Sequence, residues 1–269
     1  MQRLRRLIHQ RAARQHEERF VLEGAKLVEA ALEAAVPLEA VFHAPGAEEA
    51  RGVGALIGRA RDAGARVFTL RPGLLEAVSD TVTPQPVCAV APFVDVPLGD
   101  LLAPAALAEG PVVVCVTVRD PGNLGAIVRS ADAAGCAGVV VCGESADPYN
   151  PKVVRASAGA LVRVRLAVGG DPAGVLEALR AAGVRSLATV ARHGDDYLSA
   201  SLEPPVALVL GNEANGLDPS LQAQLDGVVT IPMAGGGESL NVAMAATVLC
   251  FEAARRRRAG QASAGEHLR

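Results

Sequence analysis

PVVVCVTVRDPGNLGAIVRSADAAG, residues 111–135, decides the fold class of this chain. Val112 to Val118 is a continuous run dominated by valine, which predicts a strand buried on both faces. Asp120-Pro121-Gly122 breaks the run, and an Ala-, Ile- and Val-rich segment follows at helical spacing as far as Gly135. Asn123 is the residue type that caps a helix N-terminus, and Gly135 the type that ends one. Arg129 falls two turns in, on the polar side. Strand, break and helix make one βα unit. Loop, cap and arginine all have ordinary structural uses, so the stretch alone fixes a fold class and no chemistry.

The alternation continues downstream, with apolar runs at Gly138–Cys142, Val162–Val168, Arg185–Val190, Val206–Leu210 and Val228–Ile231 and helical segments between most of them. An α/β fold with a parallel sheet covered on both faces is expected, and ligands of such sheets bind in the loops at the strand carboxyl ends. Upstream, short apolar runs (Phe20–Leu22, Leu38–His43, Arg66–Leu70, Val87–Val94) alternate with helical stretches (Ala25–Ala34, Glu48–Ala63), as in a smaller α/β unit. Prolines and glycines break the pattern between the two. The expected organisation is a domain over 1–97, a linker over 98–110, a second domain over 111–258 and a flexible tail over 259–269.

Composition narrows the function classes. The 269 residues are 50% hydrophobic but only 3% aromatic, without Trp, so the core is Ala, Val and Leu and aromatic stacking platforms for bases are not expected. A net charge of −3 excludes a globally basic nucleic-acid coat. No apolar run approaches the roughly 18 residues of a membrane span, and no secretory signal follows the basic N-terminus. Five cysteines (Cys88, Cys115, Cys136, Cys142, Cys250) without a CxxC pair read as buried thiols in a reducing compartment, which places the protein in the cytoplasm. The five histidines have no metal-ligand spacing, so no metal is expected. Six arginines between Met1 and Arg19 face only Glu17 and Glu18, a local charge of +4 that reads as a basic arm for phosphate contacts. Arg255–Arg258 is a second cluster, equally suited to a charged helix C-terminus.

Two further segments follow predicted strands. Ala207–Leu217 reads ALVLGNEANGL, with Gly211 at the strand end, where a ligand could approach the backbone, and Glu213 in the turn. It is no dinucleotide fingerprint, and the chain has no triphosphate loop, which disfavours a nucleotide-cofactor oxidoreductase. The third runs VTIPMAGGGESLNV from Val229, with Ser239 expected to cap a long apolar helix and Ser239 and Asn241 in its first turn.

Taken together, these segments resemble the SpoU (TrmH-type) branch of the SPOUT RNA methyltransferases. The motifs are Asn123, Gly125 and Arg129; Gly211, Asn212, Glu213 and Gly216; and Ile231–Met233 with Ser239–Val242. Residues 152–161 look like that family too, and Phe20-Val-Leu-Glu-Gly-Ala-Lys26 is similar to a ribosomal-protein-like substrate-binding domain carried by its rRNA members. The resemblance implies a deep trefoil knot, which is an exception to unthreaded connections. It also implies S-adenosylmethionine bound near Leu210, Gly211, Ile231, Met233 and Leu240, and a homodimer with its active site at the interface. The implied reaction is methyl transfer to a ribose 2′-hydroxyl, of 23S rRNA before tRNA; a non-catalytic RNA-binding or ribosome-assembly module is the alternative. Arg129 would act as base or as an anchor that lowers the hydroxyl's own pKa, the first being hard to square with guanidinium basicity. Asn123 would orient Arg129 or the ribose, Glu213 would bind the arginine or the substrate, and Ser239 and Asn241 would complete the polar pocket.

Overall fold

Val112–Val116 forms β5, buried at every position, as are β6 (Gly138–Cys142) and β10 (Val206–Leu210). In a computed structural model that describes residues 1–79, 84–235 and 237–266, these strands lie at the centre of a seven-stranded sheet. Its order is β7 (Leu166–Val168), β6, β5, β10, β8 (Arg185–Val190), β11 (Gly227–Thr230), β9 (Asp195–Asp196). Every neighbouring pair is parallel, as the valine-rich runs require. From β5 the chain winds outward through β6 and β7, then returns to build β8, β10 and β11 on the other side. The direction reverses between β5 and β10, which is where such sheets open a ligand crevice.

The chain divides into two compact units. The larger holds 95–146 and everything from Val164 on, and contains this sheet. The stretch expected as a linker, 98–110, is part of its fold: α6 (Leu98–Leu101) and α7 (Pro104–Leu107) bury Leu101, Leu102 and Leu107 in the same core as Val112 and Val140. Pro104 starts α7 rather than loosening a tether, since Pro suits the first helical turn. α8 (Pro121–Ala134) ends as expected at Gly135, φ +65°, but its cap is Asp120, whose carboxylate accepts the Asn123 N–H at 2.7 Å. Pro121 at the first helical position moves the start three residues earlier and leaves the Asn123 side chain free for another partner. α10 (Pro172–Ala181) follows β7, and α11 (Pro219–Gln222) precedes β11. The last helix, α12, covers Val242–Glu266, so it runs into the expected tail; 267–269 lie outside the described residues.

Ser239 does not cap α12. Asn241 does, its Oδ1 accepting the N–H groups of Ala243 (2.9 Å) and Met244 (3.3 Å). Ser239 stays exposed in the preceding loop. α12 packs on α8, and Ser130 Oγ meets Thr247 Oγ1 at 2.7 Å between them. All five cysteines are free and buried.

The smaller unit comprises residues 1–94 and 147–163. Its sheet runs β1 (Arg19–Glu23), β4 (Val87–Pro92), β2 (Ala40–His43), β3 (Arg66–Thr69), with only β2 and β3 parallel. Helices α3 (Ala25–Glu33), α4 (Val53–Asp62) and α5 (Leu74–Val78) complete it. Residues 147–163, which chain continuity puts in the second domain, bring α9 (Pro151–Ala156) against β1, and Tyr149 stacks on Phe93 with centroids 3.8 Å apart.

The basic N-terminus is not an arm. α1 (Gln2–His9) and α2 (Arg11–Glu17) are built into the unit, with Leu4, Leu7 and Ile8 buried against Val21 and Val90. Arg14 is 3% exposed and bonds Asp147 Oδ2 through Nε (2.9 Å) and Nη2 (2.6 Å). Its Nη1 donates to the carbonyls of Leu7 and Ile8, which the end of α1 leaves without helical partners. Breaking a buried pair from one side strands a charge, so Arg14→Ala is expected to destabilise the fold by about 3–5 kcal/mol. Urea denaturation measures this, and Arg14→Ala/Asp147→Ala should lose less than the two single changes added.

Candidate active site at the strand carboxyl ends

Three loops that follow β5, β10 and β11 meet above the sheet, and side chains lock them to one another. β5 is followed by Thr117, a β-branched residue held at φ +55°, an outlying conformation for its type. Its carbonyl accepts Asn212 Nδ2 at 3.0 Å, which fastens the β5 loop to the β10 loop. Strain of this kind gathers at functional sites. The β10 loop closes on itself: Asn212 and Gly216 exchange both backbone hydrogen bonds at 2.9 Å, and Gly216 takes φ +69°.

Glu213 stands at the centre. Its carboxylate accepts the backbone N–H groups of Asp120 (2.9 Å) and Arg119 (3.2 Å) and the side-chain amides of Asn123 (3.1 Å) and Asn212 (3.3 Å). Asn123 Oδ1 in turn accepts Asn241 Nδ2 at 2.9 Å. The chain Asn241, Asn123, Glu213 therefore ties the starts of α12 and α8 to the β10 loop. Desolvation pushes the Glu213 carboxyl up, but the donors, led by the Asp120 N–H, outweigh it and hold its pKa below the ordinary value. A carboxylate so saturated is a poor proton acceptor at neutral pH; it is a brace rather than a base.

The sign of the pH dependence follows. A depressed pKa means that the brace is intact above the ordinary glutamate range and is lost only as pH falls through the lowered value. Glu213→Gln would set an amide NH2 against two donors, and is expected to lower turnover about tenfold at every pH above 5. Steady-state kinetics from pH 5 to 8 reads this: a loss confined to the acidic end would mean that Glu213 works by titrating.

Beside the brace opens a cavity of about 390 Å³, within the usual range for a small-molecule site. Val190, Leu217, Val229, Ile231, Leu240 and Leu249 give it apolar walls, while Thr189, Asn212, Glu213 and Ser239 supply polar groups. Of the expected cofactor contacts, Gly211, Ile231, Met233 and Leu240 line it. Leu210 does not: it is fully buried within β10. Thr189 and Val190, at the carboxyl end of β8, were not expected; the strand-end rule applied to that strand would have found them.

Arg129 stands apart. It is exposed on α8, forms no hydrogen bond or ion pair with any described residue, and does not line the cavity. Glu213, expected as its partner, turns to Arg119, Asp120 and Asn123 instead. Among the described residues no cluster of His, Cys, Asp or Glu could hold a metal, and no helix is long and apolar enough to cross a membrane.

Comparison with known proteins gives a consistent result. Residues 110–251 match the family model of the SpoU rRNA Methylase family, and residues 1–89 match an MRM3-like substrate binding domain. A 23S rRNA (uridine(2479)-2′-O)-methyltransferase of Streptomyces viridochromogenes is 44% identical over 52% of this chain and 51% of its own length, so the chain spans about half of that relative. A 23S rRNA (guanosine(2553)-2′-O)-methyltransferase of Bacillus subtilis is 32% identical over 91% of this chain and 92% of its own. The crystal structure of the SpoU methyltransferase AviRb from S. viridochromogenes superposes with a TM-score of 0.84 at 29% identity, covering 96% of this chain and 97% of that one. An AdoMet-bound rRNA methyltransferase from Sinorhizobium meliloti gives 0.81 at 31%, over 95% and 94%.

Proposed function

The chain belongs to the SpoU rRNA methylase family, and from that premise we propose that it transfers a methyl group from S-adenosylmethionine to a ribose 2′-hydroxyl of 23S rRNA. The observation that carries this reading is the convergence of the three loops on the Glu213 brace beside a cavity of small-molecule size.

The residues present fit that cofactor. The apolar walls suit a purine ring, Thr189, Asn212 and Ser239 offer hydrogen-bonding groups to its polar parts, and Gly211, Ile231, Met233 and Leu240 would hold it at the strand ends. When bound, S-adenosylmethionine supplies an electrophilic methyl group. The remaining work falls to the chain. A 2′-hydroxyl attacks only as its proton leaves and only from a fixed position. Ser239 and the Asn123–Asn241 pair give polar groups to hold the ribose, and Glu213 fixes the loop that carries Asn123. Arg129 is the remaining expected catalytic residue: its unpaired guanidinium is free to draw the hydroxyl toward its ionised form, or to accept the proton itself.

One chain leaves Arg129 outside the cavity, which favours a site completed by a second copy. The exposed apolar residues of α12 support the same reading: Met244 is 61% and Phe251 44% exposed, seven residues apart on the helix. A homodimer burying that stripe lets α8 of one protomer serve the pocket of its partner. The trefoil knot, formed by the Gly211–Leu217 and Ile231–Ser239 loops, belongs to this reading, as does a cytoplasmic location, where ribosomes are assembled.

Incubation with methyl-labelled S-adenosylmethionine and separate unmodified 23S, 16S and tRNA transcripts tests the proposal. Label in 23S rRNA, mapped to a 2′-O-methyl group, is the expected result. Label in tRNA alone, or RNA binding without label, would overturn the substrate or the activity respectively.

A further inference from the structure

The sheet of the smaller unit has one face that is half covered. α1 and α5 lie over Val21 of β1 and Cys88 and Val90 of β4. Phe42 of β2 is the register partner of Cys88, and Phe68 of β3 is the partner of Phe42, so both rings project from that same face. Their centroids lie 5.4 Å apart with planes 18° from parallel. Phe42 backs onto the cluster under α1, whereas Phe68, on the edge strand, is 42% exposed. Arg66, two residues earlier on the same face, sets its guanidinium 6.0 Å from the centre of the Phe68 ring. The whole chain has only five Phe and two Tyr, so an open, supported phenylalanine ring is not a by-product of abundance.

Positive charge surrounds the stack in excess. Three guanidiniums share the Glu39 carboxylate: Arg3 at 2.5 and 3.0 Å, Arg66 at 2.9 Å and Arg19 at 3.2 Å. The Arg3 hydrogen bonds, the largest of several pulls, hold the Glu39 pKa down to about 2. Glu17 takes Arg3 at 2.5 Å and Arg6 at 3.6 Å. Four guanidiniums thus meet two carboxylates, a surplus of two positive charges. Arg5, on the groove of α1 that Arg3 also lines, has no partner among the described residues, and neither has Arg71, two residues beyond β3. The cluster is pre-ordered by its own ion pairs, so phosphate oxygens would meet forks already in place.

We propose that this face is a nucleotide platform on which an unpaired base of the RNA stacks against Phe68 while the flanking phosphates lie along Arg66 and the α1 arginines. The proposal rests on the rRNA reading above and gives the smaller unit its contact surface. Unstacked bases of folded RNA are commonly held on aromatic rings, and stacking tolerates any base because every base has a π-face. Charge selects this occupant over a second copy of the chain, since two copies meeting by this face would set the same cationic clusters against each other.

The test uses the intact protein, a fluorescein-labelled 12-nucleotide single-stranded RNA, a duplex of equal length, and the 23S transcript. Phe68→Ala is expected to weaken the single strand about tenfold, with little effect on the duplex, and Phe68→Trp to restore it. Arg66→Gln should lower the salt slope of binding by about one. With the 23S transcript the loss should fall on KM rather than kcat. Equal single-strand affinity in wild type and Phe68→Ala overturns the platform, as does a change in oligomeric state by light scattering at unchanged RNA affinity. If the wild type labels no rRNA but Phe68→Ala still loses single-strand affinity, the platform stands and the reading of the substrate falls.

Discussion

Replacing Arg129 with alanine is expected to lower kcat about 10²- to 10⁴-fold, the usual span for losing a group that manages a proton in the transition state. S-Adenosylmethionine affinity and the thermal midpoint should stay at wild-type values. The structural grounds are specific. The side chain is exposed, pairs with no described residue and sits outside the cavity, so neither core, brace nor pocket loses a contact with it. Arg129→Lys then separates the two roles. A lysine has the lower pKa, so if the side chain itself accepts the proton, the acidic limb of the kcat profile moves to lower pH. If it anchors and polarises, lysine keeps the charge but loses the fork, and kcat recovers in part with its pH profile unmoved. Near-normal turnover of Arg129→Ala would remove the residue from the mechanism.

The parts of this protein that were legible in sequence are those written in local periodicity. Apolar runs identified six of the seven strands of the parallel sheet and missed β9, a pair of aspartates with no apolar signal, while residue types that favour turns identified the loops at its carboxyl ends. What those loops do with their side chains was not legible. The resemblance makes Glu213 a contact of Arg129 or of the substrate, but its partners are Asn123, 90 residues earlier, and through it the Asn241 that Asn123 meets from 118 residues away. The caps shifted for a smaller reason. Several cap-competent residues sit close together at each helix start, and the one whose oxygen reaches the free N–H groups does the work, Asp120 rather than Asn123 and Asn241 rather than Ser239.

Charge misled more than pattern did. Counting arginines along 1–19 gives a surplus and suggests an arm, yet Arg14 is buried against Asp147, 133 residues away, and Arg3 and Arg19 converge on Glu39. At the other terminus, Arg255 and Arg256 both pair with the buried Glu252, and Arg256 also holds the carbonyls of Tyr197 and Ala200. Those arginines are fasteners. Aromatic content is as coarse a guide: 3% speaks against stacking surfaces in general, but a percentage carries no position, and Phe68 is 42% exposed beside Phe42.

Gly211→Val is expected to abolish measurable S-adenosylmethionine binding by calorimetry and to lower the thermal midpoint by several degrees. Close approach of a cofactor to the bare strand end is one reason for glycine there, and the fold gives a more severe one. A Cβ at 211 would lie 2.3 Å from the Gly216 carbonyl carbon, 2.5 Å from the Leu217 nitrogen and 2.6 Å from the Gly216 oxygen. All three are backbone atoms that cannot swing aside, so the loop must open. The paired bonds between Asn212 and Gly216 then break, and with them the position of Glu213. Alanine already carries that Cβ, so Gly211→Ala should fail nearly as badly; normal affinity in the alanine variant would sink the steric account. The same variant tests where Arg129 acts. If each pocket is served by the arginine of the other protomer, Gly211→Val and Arg129→Ala are both dead alone. Mixed by refolding, they form hybrid dimers in which one pocket is intact and faces an intact arginine, and about a quarter of wild-type turnover should return by the statistics of two-fold assembly. If pocket and arginine belong to the same chain, neither protomer of a hybrid holds a whole site, and mixing restores nothing.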